Sequence, residues 1–198
     1  VLIGSHLGEN MHNTQVQEFA DAVAAGAAII VADPRFSVAA SKAQHYLPVK
    51  PGSDLALLLA WMNVIVTEGL YDREYVEQHG FGFEHFKAEL ATRTPEWAYP
   101  EPGIAPELIR ETARVMACHR PATLVHPGRR TTWYGDDAQR GRAIALLNAL
   151  LGEDRVVELA GVGGHHLGGL VADDPLGLAQ CDRLREGVDV LVLDLLVD

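Results

Sequence analysis

The residues of this 198-residue chain that could do chemistry fall in a few short loops carrying glycine, carboxylates and arginine. Asp33-Pro34-Arg35 follows the apolar run Ile29-Ile30-Val31-Ala32, so a carboxylate and a guanidinium emerge together where a buried strand must stop. Pro34 fixes that end, because it holds Asp33 in an extended conformation. A second loop carries Gly4, Ser5, His6, Glu9 and Asn10 behind another short apolar run, and a third, Gly52-Ser53-Asp54, opens a long apolar segment. Glycine lets a phosphate approach backbone N–H groups, and a helix start adds about 0.3–1 kcal/mol for an anion. An acid at the end of the second strand stands where a nucleotide-binding sheet places its ribose contact. The first loop lacks G-x-G-x-x-G, so the ordinary dinucleotide fingerprint is absent. Glycines, caps and Asp-Pro turns also connect elements in any α/β protein, and spacing alone leaves both readings open.

A fourth loop, Pro127-Gly128-Arg129-Arg130, places two guanidinium groups behind a glycine. One of them can meet an anion bidentately while its neighbour points away. Nine histidines invite a metal reading, yet neither His6 with His12 nor His165-His166 beside Asp173-Asp174 has H-E-x-x-H spacing or a third ligand at a characteristic offset. No protein-ligated metal is expected. Gly161-Val162-Gly163-Gly164 lacks a clear preceding strand and following helix, and Trp61 and Trp97 read as packing residues.

The elements needed to hold these loops alternate along the chain. Val1-Leu2-Ile3 reads as a buried strand, and Val16, Phe19, Ala20 and Val23 give helical spacing behind a cap at Asn13 or Thr14, closed by Gly26. The strand at 28–32 completes a βαβ unit. Residues 37–43 suit a helix, 45–49 a third strand, and 55–68 a largely buried helix with Ser53 as its N-cap. Two amphipathic helices follow between 71 and 90, split by Gly80-Phe81-Gly82, and the proline-rich stretch 92–106 reads as a surface excursion. A helix over 105–119, a strand at 122–125 and a helix from Asp136 or Asp137 to Leu151, stopped by Gly152, complete the pattern. The expected fold is α/β, with a mainly parallel sheet flanked by helices.

Composition bounds the partners. The chain is 48% hydrophobic with a net charge of −11, which suits a soluble globular domain and argues against a nucleic-acid partner. No apolar run reaches the length of a membrane span, so no direct membrane insertion is expected. Cys118 and Cys181 form no C-x-x-C pair and fix no redox compartment. The chain opens directly on a strand, without Met or a basic leader, which reads as a piece of a longer polypeptide. A boundary is expected near Gly152, because residues 153–198 carry ten acids against three arginines. Only 188–197 there has a strand-like run. Two origins of this tail stay open: a shifted reading frame or misjoined fragment, or a lineage-specific extension whose strand joins the sheet.

Taken together, residues 4–13, Asp33-Pro34-Arg35, Pro51-Gly52-Ser53-Asp54 and Pro127-Gly128-Arg129 through Thr132-Trp133-Tyr134-Gly135 resemble the molybdopterin oxidoreductase (dimethyl sulfoxide reductase) family. The likeness covers about residues 1–152 and is greatest to the polysulfide, thiosulfate and tetrathionate reductase catalytic subunits. It implies a Rossmann-like central domain holding molybdopterin guanine dinucleotide around molybdenum. Gly4, Ser5, His6, Glu9 and Asn10 with Gly52, Ser53 and Asp54 would contact guanosine and diphosphate, Asp33, Pro34 and Arg35 would lie near the guanosine, and Gly128 would bring Arg129 beside a small anionic substrate. The resemblance further implies a 4Fe-4S cluster and the molybdenum ligand in a preceding part of the subunit. An iron-sulfur electron-transfer subunit, a membrane anchor subunit and a periplasmic or membrane-associated setting follow from it too. The chain alone is expected to be inactive. His6 stands where the family often has asparagine, Arg130 where the most similar relatives often have histidine, and Glu153-Asp154-Arg155 replaces a Trp-Gly and Gly-Gly continuation. Rival readings are a non-catalytic nucleotide-binding α/β module, which needs no Pro-Gly-Arg site, and a helix-rich interaction domain.

Overall fold

The computed structural model describes residues 1–5, 7–8, 13–128 and 137–152. Four short strands, Leu2–Ile3 (β1), Ile30–Ala32 (β2), His45–Leu47 (β3) and His126–Pro127 (β4), form one sheet. All pairings are parallel, and the order is β3-β2-β1-β4. The chain therefore winds outward from β1 to β3 and returns to the other side of β1 for β4. In open α/β sheets such a reversal opens a crevice at the carboxyl ends of the strands.

Alternation within the strands explains why the sheet is covered on both faces. Ile3, Ile30, Ala32 and Leu47 join one apolar cluster, whereas Leu2, Ile29 and Val31 join another with Leu7, Ala39 and Ala40. The second cluster is closed by Phe19 and Val23 of the helix Asn13–Ala24 (α1). On the first face lie Asp54–Thr67 (α2), Pro106–Cys118 (α6) and Asp137–Leu151 (α7), with the shorter Arg73–His79 (α3), Phe83–Leu90 (α4) and Pro95–Ala98 (α5) around them. Helix α2 is apolar on nearly every side and packs against α4, α5, α6 and α7. Burying Leu57, Leu58, Trp61, Met62 and Ile65 contributes roughly 1.5–3 kcal/mol each. Its few polar atoms are matched. Trp61 Nε1 donates to Thr112 Oγ1 at 2.8 Å, that hydroxyl donates to the Leu108 carbonyl at 2.7 Å, and Asn63 Nδ2 donates to the Leu90 carbonyl at 2.7 Å.

Three sequence expectations are corrected. The stretch 92–106 is no surface excursion: Thr94 Oγ1 accepts the Trp97 N–H at 3.2 Å, Pro95 takes the first helical position, and α5 packs on α2 and α6. The fourth strand is not 122–125 but His126–Pro127. The reason lies in Asn148 of α7, whose Oδ1 accepts the Val125 N–H at 3.0 Å and whose Nδ2 donates to the Val125 carbonyl at 3.4 Å. A side-chain amide thus takes the place of a neighbouring strand until the ladder begins. Residues 37–43 form only a short 3-10 turn, Ala40–Lys42, braced by Ser37 Oγ accepting the Ala40 N–H at 3.2 Å. The expected strand at 188–197 and the boundary after Gly152 lie outside the described residues.

Candidate functional site

All four strands point the same way, so the loops that follow them leave one edge of the sheet. Gly4 and Ser5 follow β1, Asp33-Pro34-Arg35 follows β2, Pro51-Gly52-Ser53 links β3 to α2, and Gly128 follows β4. This collects nine of the sequence-derived candidates: Gly4, Ser5, Asp33, Pro34, Arg35, Gly52, Ser53, Asp54 and Gly128. His6, Glu9, Asn10 and Arg129 lie outside the described residues.

Asp33 is 4% exposed. Its backbone N–H continues the ladder to the Leu47 carbonyl at 3.2 Å, and its Oδ1 accepts the Arg35 N–H at 2.8 Å. One carboxylate oxygen is thereby committed to a local turn that projects Pro34, Arg35 and Phe36 outward, all three being exposed. Phe36 meets Tyr46 of β3 edge-on, with centroids 5.2 Å apart. Burial first, and then the negative Asp33, pushes the Tyr46 phenol above its ordinary range.

The Pro51–Gly52 turn is anchored from behind. Lys50 Nζ donates to the Pro100 carbonyl at 3.0 Å, and the Lys50 N–H donates to the Pro102 carbonyl at 3.3 Å. Gly52 has φ +85°, a left-handed value that favours glycine. Ser53 precedes α2 but does not cap it through its side chain: the hydroxyl donates to the Lys50 carbonyl at 2.7 Å and tightens the turn. Ser53 thus holds the N-cap position expected from the sequence, without the side-chain bond of a serine cap. The first turn of α2 presents Asp54, which is 7% exposed. Burial pushes the Asp54 carboxyl above the ordinary carboxylate range, while a backbone hydrogen bond and the Arg140 guanidinium oppose the shift without cancelling it.

Gly128 has a structural duty of its own. Its N–H donates to the Ile3 carbonyl at 2.7 Å, and a Cβ there would lie 2.0 Å from the carbonyl carbon and oxygen of Gly4. Only glycine lets β4 close on β1 at the reversal point of the sheet. Arg140, in the first turns of α7, was not among the sequence candidates and is 2% exposed. A signal existed: it lies four, seven and eleven residues before the buried Ile144, Leu147 and Leu151, on the apolar stripe of its helix.

The donor set suits a nucleotide. Two buried carboxylates at one sheet edge are acceptors of the kind a guanine's N–H groups require, and the start of α2 adds the favourable end of a helix dipole for an anion. Comparison with known proteins decides the family. The family model for molybdopterin oxidoreductases matches residues 1–166. The chain belongs to that family. Among relatives of this molybdopterin oxidoreductase domain, the thiosulfate reductase molybdopterin-containing subunit PhsA of Salmonella typhimurium is 36% identical over 152 residues, covering 77% of the chain and 20% of the relative. The F420-dependent formate dehydrogenase 1 subunit alpha of Methanococcus maripaludis is 38% identical over 125 residues, or 63% of the chain and 18% of that protein. The solved acetylene hydratase from Pelobacter acetylenicus superposes with a TM-score of 0.69 at 30% identity, covering 76% of the chain and 21% of that structure. The chain thus spans about a fifth of the length of these proteins. Their names cover a reductase, a dehydrogenase and a hydratase, so what they share with the chain is a domain and not one reaction.

Proposed function

We propose that this molybdopterin oxidoreductase domain binds the guanosine diphosphate portion of molybdopterin guanine dinucleotide along the carboxyl edge of its sheet. The domain would serve a catalytic subunit that carries out two-electron reduction or oxidation of a small sulfur- or oxygen-containing anion. The observation that carries the reading is that Asp33 and Asp54, both buried, follow β2 and β3 at the carboxyl edge of one parallel sheet. When bound, the molybdenum group supplies the redox chemistry. The chain's own residues bind and orient: Asp33 and Asp54 accept hydrogen bonds from the base, and the start of α2 meets the diphosphate with N–H groups and a favourable dipole. Gly4, Ser5, His6, Glu9, Asn10, Gly52 and Ser53 complete the contact, and Arg129 forks onto the anionic substrate. A 4Fe-4S cluster elsewhere in the subunit, an iron-sulfur subunit and a membrane anchor subunit belong to the same reading, which the thiosulfate reductase likeness supports at the level of a catalytic subunit.

The test is made in the full-length subunit. Asp33→Ala and Asp54→Ala should each lower the guanine nucleotide released on denaturing the purified protein, with the fold intact by circular dichroism. Full nucleotide content in both would overturn the reading. Arg129→Lys should reduce turnover far more than cofactor content, since lysine keeps the charge but loses the planar fork. Unchanged turnover would remove Arg129 from the substrate site.

A further inference from the structure

The buried charged residues of the described chain are Asp33, Asp54 and Arg140. Asp33 and Asp54 have a part in the nucleotide reading; Arg140 does not. Its position is set by two parallel helices. The N–H of Asp72, which caps α3 five residues after α2 ends, donates to the Leu150 carbonyl near the end of α7 at 2.8 Å, and the Gly152 backbone lies against the Asp72 side chain. The chain leaving α2 is thus tied to the carboxyl end of α7, and α2 and α7 pack on each other. Both helices follow strands of the same parallel sheet and pack side by side, so their first turns also share the carboxyl edge. Asp54 occupies one of these turns and Arg140 the other, both buried, and the guanidinium's charge opposes the upward shift that burial imposes on the Asp54 carboxyl.

Packing along the stripe does not by itself call for a charge here. The stripe that continues as Ile144, Leu147 and Leu151 would accept another aliphatic residue, and replacing buried charges by apolar residues of similar volume is often neutral or stabilising. Guanidinium stays charged inside proteins and carries five donors, so its burial holds acceptors in fixed directions. We infer that Arg140 is a positioning residue of the nucleotide site, locking the first turn of α7 onto that of α2 and fixing the Asp54 carboxylate for its ligand. The inference rests on the nucleotide reading above and adds a residue that acts on Asp54 and not on the nucleotide.

The test is a double-mutant cycle in the full-length subunit, reading guanine nucleotide content per folded protein. Arg140→Gln should lower it about tenfold, because the buried Asp54 carboxyl loses a neighbouring positive charge. Arg140→Lys, which keeps the charge but loses the planar fork, should fall between the parent and Arg140→Gln. The double variant Asp54→Asn/Arg140→Gln should lose no more than Asp54→Asn alone, because a residue acting through Asp54 has nothing left to position. Additive losses, or full nucleotide content in Arg140→Gln, overturn the inference and leave the nucleotide reading standing. If Asp54→Asn alone retains its nucleotide, the contact to α2 is wrong and the inference falls with it. If Arg140→Gln does not accumulate, Arg140→Met fills the space without unpaired donors and takes its place. Failure of both to accumulate, with or without Asp54→Asn, makes Arg140 a residue of the fold and also overturns the inference.

Discussion

The layer of helices around α2 and the carboxyl edge of the sheet handle buried polarity in opposite ways. Around α2 each buried polar group named above has a neutral partner: indole with hydroxyl, hydroxyl with carbonyl, amide with carbonyl. At the edge the buried groups include the carboxyls of Asp33 and Asp54, and Asp54 is held above its ordinary range by the burial it suffers. The first arrangement stabilises, since a satisfied hydrogen bond inside an apolar core is favourable. The second opposes folding unless something else is gained. The difference separates the part of the molecule that supports from the part that binds.

Substitutions in the two regions should therefore differ in size and sign. Trp61→Ala should be the most damaging, at about 3–5 kcal/mol, through a cavity beneath the sheet and an orphaned Thr112 contact. A melting temperature within a few degrees of the parent would mean that α2 is not the support it looks to be. Gly128→Ala should cost about 3 kcal/mol although it lies at the edge, because its Cβ meets backbone that cannot move aside. Parental stability there would show that β4 can separate from β1 without loss. Asn148→Ala should cost about 1–3 kcal/mol by leaving the Val125 N–H and carbonyl without their amide partner, and amide exchange at Val125 should accelerate. Unaltered exchange would place Val125 under other protection.

The smallest effect should have the opposite sign. Asp54 has a folded-state pKa above that of the unfolded chain, so the folded protein binds this proton more tightly. Its contribution to stability is fully present below the unfolded carboxylate range and is lost as pH rises through the folded value. Asp54→Asn removes that loss. The cofactor-free protein should melt higher at neutral pH, with the gain vanishing below about pH 4. At the same time its capacity for guanine nucleotide should fall. A variant destabilised at neutral pH would erase the contrast between the two regions.

Much of this was legible in the sequence where one local rule was enough. Ile29-Ile30-Val31-Ala32 before Asp33-Pro34 announces a strand buried on both faces and its end, and the split of Ile30 and Ala32 from Ile29 and Val31 between two clusters bears that out. The family likeness, resting on loops at strand ends, is also shown. What escaped depended on distant partners. Residues 122–125 have strand composition, but the backbone of Val125 is satisfied by an amide 23 residues later. Thr94-Pro95 is a helix start hidden among prolines that usually signal loops. Ser53 has the right type and position for a cap, yet the Lys50 carbonyl takes its hydroxyl. Arg140 looks like surface charge until the stripe it shares is followed to α2.

The pairing of β1 bears on how such a domain can assemble. One neighbour, β2, arrives early, with Val31 opposite Leu2, while the other, β4, supplies His126 to the same Leu2 only after about four times as much chain. Closing the longer loop costs roughly 1.2 kcal/mol more in chain entropy. On a ribosome, β1 to β3 and the helices through α6 are all synthesised before β4 exists. Until then the carbonyls of Val1 and Ile3 that β4 will engage form an open sheet edge. The reversal that creates the crevice is thus the last of the described strand pairings to form, and a chain arrested before residue 126 would expose a strand able to pair with a neighbouring molecule.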